Sequence, residues 1–310
     1  MRVLVDKYIP FLQGVMDDFA EVCMVEPEQM TAETVRDADA LIVRTRTRCD
    51  ASLLEGSRVR FIATATIGTD HIDLAWCKSQ GIHVVSCPGC NAQAVCDYIE
   101  EAIRYVTAQH MQASSSLPSI GIVGLGHVGH KVAKMARKHH LPIAMNDPPL
   151  GLTDDVTRCD IITFHTPLTK DQPYATWHLC DEQFLKRCKP DALIINAARG
   201  GVIDEQALLN STQPFILDTW ENEPHIDPAV LDKALLASYH IAGYSVQGKR
   251  NASQMCLDAL CRFYRLPAHS INNESMQHGD SAPGWLQRIS DDLKAAPENF
   301  ETLRKNYKLR

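Results

Sequence analysis

The 310 residues carry 31 Lys+Arg against 38 Asp+Glu, a net charge of −7, and 45% of them are hydrophobic. Such a chain suits two domains of ordinary size, offers no overall basic field to hold nucleic acid, and contains no run approaching the roughly 18 apolar residues of a membrane helix. The cysteine count is odd, 11, and the first residues, MRVLVDKYIP, look like a β-strand rather than an export signal, which points to reduced thiols and the cytoplasm.

In chain order, apolar β-rich runs are expected at Val3–Val5, Val22–Val25, Ala40–Val43, Phe61–Ala65 and Ile82–Ser86, separated by turns or helix-like polar segments. A long helix follows over Ala92–Gln112, with Val95, Ile99, Ile103 and Val106 at helical spacing, and Ser114–Pro118 reads as a linker. The same rhythm then resumes at Ser119–Val123, Pro142–Asn146, Cys159–His165, Ala192–Ala197, Pro214–Asp218 and His240–Ala242. Several runs are apolar throughout, as in parallel strands covered by helices on both faces. Another long helix is expected after Gly248, through Met255, Leu257, Leu260 and Phe263. Beyond a polar stretch, short helices are expected at Trp285–Leu293 and Phe300–Tyr307. This tail is too short for a domain, and its amphipathic helices would pack on the first domain or on another subunit. The reading is two doubly wound α/β domains, 1–92 and 93–266, with a helical tail over 267–310.

The sharpest motif is GIVGLGHVG, which places Gly124, Gly126 and Gly129 in the pattern G-x-G-x-x-G after a strand and before a helix. Asp147 closes a second strand about 23 positions after Gly124, near the spacing of a dinucleotide-binding turn. The first glycine would make the tight turn, the second would admit the pyrophosphate, and the third would let helix and sheet approach. The helix N-terminus would meet the phosphates. Asp147 would accept the adenosine ribose hydroxyls and repel a 2′-phosphate, favouring NAD over NADP. His127 and Val128 lie inside the loop and count among the expected cofactor contacts, the His127 side chain reading as solvent-facing.

Three further segments stand where an open parallel sheet gathers its ligands, at strand ends. These are INAARGG with Arg199, LDTWENEP with Asp218, Glu221 and Glu223, and SYHIAGYS with His240. Histidine suits the task of taking a hydroxyl proton near neutral pH, a carboxylate would fix its tautomer, and an arginine fork would hold a substrate carboxylate. Which acid, Glu221 or Glu223, faces the imidazole stays open in the sequence.

With the glycine loop, arginine, acid before proline and histidine in this order, the chain resembles the D-2-hydroxyacid dehydrogenases. Its fold would be a flavodoxin-like substrate domain and a Rossmann NAD domain. The segments ATATIGTDHID, CPGCNAQAV, DPP, TFHTPL, HIAGYSVQGK and LRKNY make it similar to the branch that oxidises 4-phospho-D-erythronate in vitamin B6 synthesis. The resemblance implies Arg199, Glu223 and His240 as the catalytic set. It implies Thr166, Ala197, Ala198, Arg199, Asp218 and Gly243 as further cofactor contacts, with Asp218 toward the carboxamide end of the nicotinamide. Thr45 and Thr66 of the first domain and Tyr244 of the second would contact substrate, threonine standing at position 45 where the family usually has serine. Arg44 is a candidate for the 4-phosphate and equally a solvated edge arginine. Arg310 matches a family arginine implied in phosphate recognition. A homodimer is implied as well, although the branch usually carries a larger C-terminal dimerisation domain. The C-x-x-C at Cys87–Cys90 reads as part of the family's PGCN loop rather than a redox or metal site, and no metal is expected. Alternatives are a dehydrogenase for 3-phosphoglycerate or an unphosphorylated 2-hydroxy acid, and an NAD(H)-sensing corepressor.

Overall fold

A computed structural model describes residues 1–110, 117–171, 173–271 and 284–310. They form two compact units, 1–91 with 245–271, and 92–244 with 284–310.

The first unit is built on β1 (Arg2–Asp6), β2 (Glu21–Val25), β3 (Ala40–Val43), β4 (Phe61–Thr64) and β5 (His83–Val85). The strands are parallel in the order β2-β1-β3-β4-β5, the doubly wound order of flavodoxin-like sheets. β3 and β4 are buried at every residue, which explains why they read as unbroken apolar runs rather than alternating ones. Leu4, Val35, Leu41, Val43, Ile62 and Cys77 belong to one core cluster.

The helix Val246–Tyr264 belongs to this first unit, not to the nucleotide unit in which the sequence reading placed it. Its buried face carries Ala252, Ser253, Cys256, Leu257 and Leu260. Ser253 Oγ donates to the Pro10 carbonyl at 2.6 Å, and Tyr264 Oη donates to the Asp39 carbonyl at 2.8 Å. It also starts earlier than expected because Ser245 caps it, accepting from the Gly248 amide at 2.9 Å.

The second unit contains β6 (Ile120–Val123), β7 (Ile143–Asp147), β8 (Leu152–Thr153), β9 (Ile161–Phe164), β10 (Leu193–Asn196), β11 (Phe215–Leu217) and β12 (Leu236–Ala237). Their order is β12-β11-β10-β9-β6-β7-β8, parallel except for the two-residue β8 at the edge. The chain reverses its direction of travel between β6 and β9, the place where such sheets open a ligand crevice. Helices Ala92–His110 and His127–Lys138 pack on each other in this unit. Residues 111 and 112 of the expected long helix, and most of the expected linker, lie outside the described residues.

Two expectations change here. His240–Ala242 is not a strand: the last strand is β12, and the chain then turns under the control of Asp218, as set out below. The start of the tail, to residue 271, stays with the first unit, while its helices close the second. Its helix Trp285–Ala295 lies against β12, where Ser290 Oγ accepts the Ala237 amide at 3.0 Å. Trp285, Leu286, Leu293 and Phe300 join the core of that unit. Without Ser290, the β12 amide would be a buried donor with nothing to bind.

Candidate active site

The glycine loop leaves β6 with Gly124 in a left-handed conformation, φ +91°. A Cβ at Gly129 would stand 2.0 Å from the Gly124 carbonyl oxygen, so only glycine lets the helix His127–Lys138 begin so close to the strand. At Gly126 nothing lies within 4 Å of the place a Cβ would occupy, which leaves open space over the helix N-terminus. No side chain caps that terminus, so its first amides keep their capacity to bind an anion. Asp147, half-buried at the end of β7, accepts the Leu125 amide through Oδ2 at 2.6 Å. Thr166, just past β9, would lie 3.0 Å from a Gly124 Cβ, and its buried hydroxyl has no partner among the described residues. The open space, the uncapped helix and the orphan hydroxyl fit a dinucleotide. His127 is exposed and Val128 half-buried against the core.

A second cluster follows β11. Asp218 is 1% exposed, and its carboxylate takes three donors: Oδ1 accepts Ser238 Oγ at 2.6 Å and the Ile241 amide at 2.7 Å, and Oδ2 accepts the Ala242 amide at 2.9 Å. Buried Tyr98 donates to Ser238 Oγ at 2.8 Å, so the chain Tyr98–Ser238–Asp218 is satisfied at each link. Asp218 is therefore the clamp of the turn after β12, which accounts for the missing strand at 240–242. The carboxylate that was expected to face the nicotinamide carboxamide thus takes three donors from this turn.

The clamp presents His240, whose amide donates to the Asp218 carbonyl at 2.8 Å and whose φ is +59°. Histidine and asparagine tolerate this left-handed region better than most residues, and Asn222 in the facing loop adopts it too, at +57°. His240 Nδ1 and Glu223 Oε1 stand 2.5 Å apart. Glu223 Oε2 accepts the Trp220 amide at 3.3 Å, while the buried Trp220 indole donates to the Ser238 carbonyl at 2.8 Å and fixes the base of the loop. Burial pushes the Glu223 carboxyl up, but the hydrogen bond with His240, its charge, the Trp220 amide and Arg304 together hold it below the usual carboxylate range. A carboxylate on Nδ1 leaves Nε2 as the nitrogen that exchanges a proton with a ligand. The choice between the two acids is thus settled in geometry: Glu223 meets His240, whereas Glu221 accepts from His178 Nε2 at 2.9 Å.

Arg199 follows β10, half-buried, with Nη1 donating to the Ala198 carbonyl at 2.8 Å. Among the described residues it makes no ion pair, so its charge is available to an anion. Buried Asn196 shapes its loop, accepting the Ala198 amide at 3.0 Å and donating to the Arg199 carbonyl at 2.9 Å. Ala197 and Ala198 are buried and Gly243 is half-buried. No hydrogen bond joins Arg199 to His240 or Glu223 among the described residues.

Of the expected substrate contacts in the first unit, Thr45 is exposed. Thr66 Oγ1 donates to the Gly68 carbonyl at 3.0 Å and lies 2.7 Å from Thr64 Oγ1. Arg44 is half-buried and paired. Its Nε and Nη2 donate to the two oxygens of fully buried Asp6 at 2.8 and 3.1 Å, making it the counter-ion of a core carboxylate. In the second unit, Tyr244 Oη accepts from Arg304 Nε at 3.2 Å, a contact the sequence reading missed. Arg310 donates to the carbonyls of Ala94 and Ala242 at 3.2 and 2.8 Å and lies over the Trp285 ring, 4.3 Å from its centroid. In the first unit, Cys87 and Cys90 are both buried and unbridged, and Cys87 Sγ lies 3.5 Å from Cys256 Sγ. Among the described residues no helix is long and apolar enough to cross a membrane.

Over residues 4–272 the chain matches the family model described as D-isomer specific 2-hydroxyacid dehydrogenase, catalytic domain. It is 44% identical to a Bacteroides fragilis protein named erythronate-4-phosphate dehydrogenase, covering 100% of this chain and 97% of that one. A Porphyromonas gingivalis protein of the same name is 36% identical, covering 99% and 92%. Among solved structures, an NAD+-bound 3-phosphoglycerate dehydrogenase of Entamoeba histolytica superimposes with a TM-score of 0.70 at 22% identity, covering 89% of this chain and 99% of that one. At that identity the likeness speaks for the fold.

Proposed function

We infer the reaction from one premise: this chain belongs to the D-isomer specific 2-hydroxyacid dehydrogenases, and it is a dehydrogenase. The cofactor is NAD, held by the loop from Gly124 to Gly129, by Asp147 and by the Thr166 hydroxyl. Asp147 supports NAD over NADP because its carboxylate, already drawn against the loop through Leu125, opposes a 2′-phosphate electrostatically. When bound, the nicotinamide accepts the hydride that leaves C2 of the hydroxy acid.

The chain's own part is to hold the acid and take the proton. His240 Nε2 accepts the C2 hydroxyl proton as the carbonyl forms, and Glu223 on Nδ1 stabilises the resulting imidazolium. Arg199, without an acidic partner among the described residues, holds the substrate carboxylate. The observation that carries this reading is the His240–Glu223 contact on a loop clamped by Asp218.

The substrate is 4-phospho-D-erythronate, oxidised to (R)-3-hydroxy-2-oxo-4-phosphooxybutanoate in the formation of pyridoxal 5′-phosphate. The names of relatives matched over nearly the whole chain support this. The same proposal includes a cytoplasmic homodimer, checked by sedimentation of the purified protein and by cell fractionation. Purified protein with NAD and a hydride acceptor is expected to oxidise 4-phospho-D-erythronate far faster than 3-phosphoglycerate or the unphosphorylated acid. His240→Asn is expected to lower kcat by about 10²–10⁴-fold. Faster turnover of another 2-hydroxy acid would overturn the substrate, and unchanged turnover in His240→Asn would overturn the base.

A further inference from the structure

Behind Glu223 lies a group of ionisable side chains that the mechanism above does not use. Glu205, 6% exposed, opens the helix Glu205–Asn210. Its Oε1 accepts the Glu221 amide at 2.7 Å, while its own amide donates to Glu221 Oε1 at 3.4 Å. The two glutamates thus clasp each other reciprocally, side chain to backbone in both directions. Glu221 Oε1 also takes the hydrogen bond from His178 Nε2, and His178 Nδ1 lies 3.7 Å from Asp204 Oδ2. Residue 221 is two positions from Glu223, between Trp220, whose indole is bonded to the Ser238 carbonyl, and Asn222, whose φ is +57°.

We propose that Glu205 is a positioning residue for the dehydrogenase site, holding the loop that carries Glu223 through the amide of Glu221. It touches neither substrate nor cofactor; it acts through the loop and through charge. This inference rests on the reading of His240 and Glu223 as the proton-transfer pair. Burial first, then the charges of Glu221, Asp227 and Glu223, push the Glu205 carboxyl up to about 7, against the pull of the Glu221 amide. The remaining groups of the cluster are Asp204 and His178, which reach it through Glu221. As pH rises through neutrality, Glu205 gains a negative charge behind Glu223. That charge strengthens the hydrogen bond accepted from the Glu221 amide, and with it the hold on the loop that carries Glu223. Below neutrality Glu205 is protonated and the charge is gone.

The test compares Glu205→Gln, Glu205→Leu, Glu223→Gln and wild type in full pH profiles of kcat and kcat/KM for 2-hydroxy acid oxidation. Glu205→Gln keeps an acceptor for the Glu221 amide but never ionises. Lacking the charge, it is expected to lose about twofold or more in kcat above neutrality and to match wild type below it. Glu205→Leu, read only if its circular dichroism matches wild type, removes the acceptor and is expected to lower kcat at least tenfold with KM for NAD within about twofold. Superimposable profiles for Glu205→Gln and wild type, with kcat of folded Glu205→Leu within about twofold of wild type, beside a large loss in Glu223→Gln, would overturn the role of Glu205 alone. Full activity in Glu223→Gln would instead overturn the reading beneath it.

Discussion

Asp218→Asn separates a clamp from a cofactor contact. In the wild type, three donors converge on a carboxylate that is 1% exposed: Ser238 Oγ, the Ile241 amide and the Ala242 amide. Asparagine keeps one oxygen, which still serves Ser238 and Ile241, now without charge. Its NH2 group faces the Ala242 amide, donor against donor. A buried hydrogen bond to a charged group is worth about 1.5–3 kcal/mol and one between neutral groups about 0.5–1.5. Two weakened bonds and one lost, less the relief of no longer burying a charge, come to about 3 kcal/mol. For a unit of this size the melting temperature should fall by about 6–12 °C. Because the same bonds hold the His240 turn, kcat should fall with it. Thermal melts followed by tryptophan fluorescence, beside kcat and KM for NAD, make the comparison. A melt within about 2 °C of wild type, with only KM for NAD raised, would refute the clamp.

Arg44→Ala leaves the fully buried Asp6 without its counter-ion, so it should cost about 3–5 kcal/mol in a urea titration; a protein as stable as wild type but with a raised substrate KM would return Arg44 to the substrate site. Gly129→Ala should destabilise the second unit through its 2.0 Å clash with the Gly124 oxygen, whereas Gly126→Ala, with nothing within 4 Å, should leave the melting temperature near wild type and weaken NAD binding. Isothermal titration and melts on both variants check the pair, and equal stability loss would refute the distinction. Glu223 has its pKa lowered by His240 despite burial. Its contribution to stability is therefore present above the ordinary carboxylate range and lost as pH falls through its depressed value. The stability gap between wild type and Glu223→Gln should close on acidification from about pH 5 to pH 3; a gap that widened would reverse the sign.

Much of the architecture was legible because the signals were local. β3, β4, β9 and β10 are buried on both faces and read as apolar runs, and the glycine spacing named its own turn. The misreadings came from interactions distant in sequence. SYHIAG has the composition of a strand, but Asp218, more than twenty residues earlier, takes its amides and bends it into a turn. Nothing in the local pattern at Val246–Tyr264 says which sheet its apolar face covers; that depends on partners such as Pro10 and Asp39. β8, two residues long and antiparallel, is below the length at which periodicity exists. In the candidate site, residue types alone marked Arg199 and His240 as candidates. The choice between Glu221 and Glu223 needed coordinates, since both acids sit in one loop and differ only in direction. Asn196, Tyr98 and Ser238 carry no chemistry of their own and were invisible for that reason. An asparagine at the buried end of a strand, just before a tight loop, was the one available hint.

Each unit is assembled from two stretches of chain, 1–91 with 245–271 and 92–244 with 284–310. During synthesis the first sheet therefore emerges long before the helix that covers it, and it waits through the whole second sheet for Ala252, Cys256, Leu257 and Leu260 to leave the ribosome. At about 5–20 residues per second, that is roughly ten to thirty seconds with an incomplete apolar face. A gene cut at residue 92 would leave the first sheet without its covering helix, and one cut at 244 would leave both units without part of their cores. Shuffling this nucleotide unit into another enzyme would have to move the tail from Trp285 to Phe300 along with it.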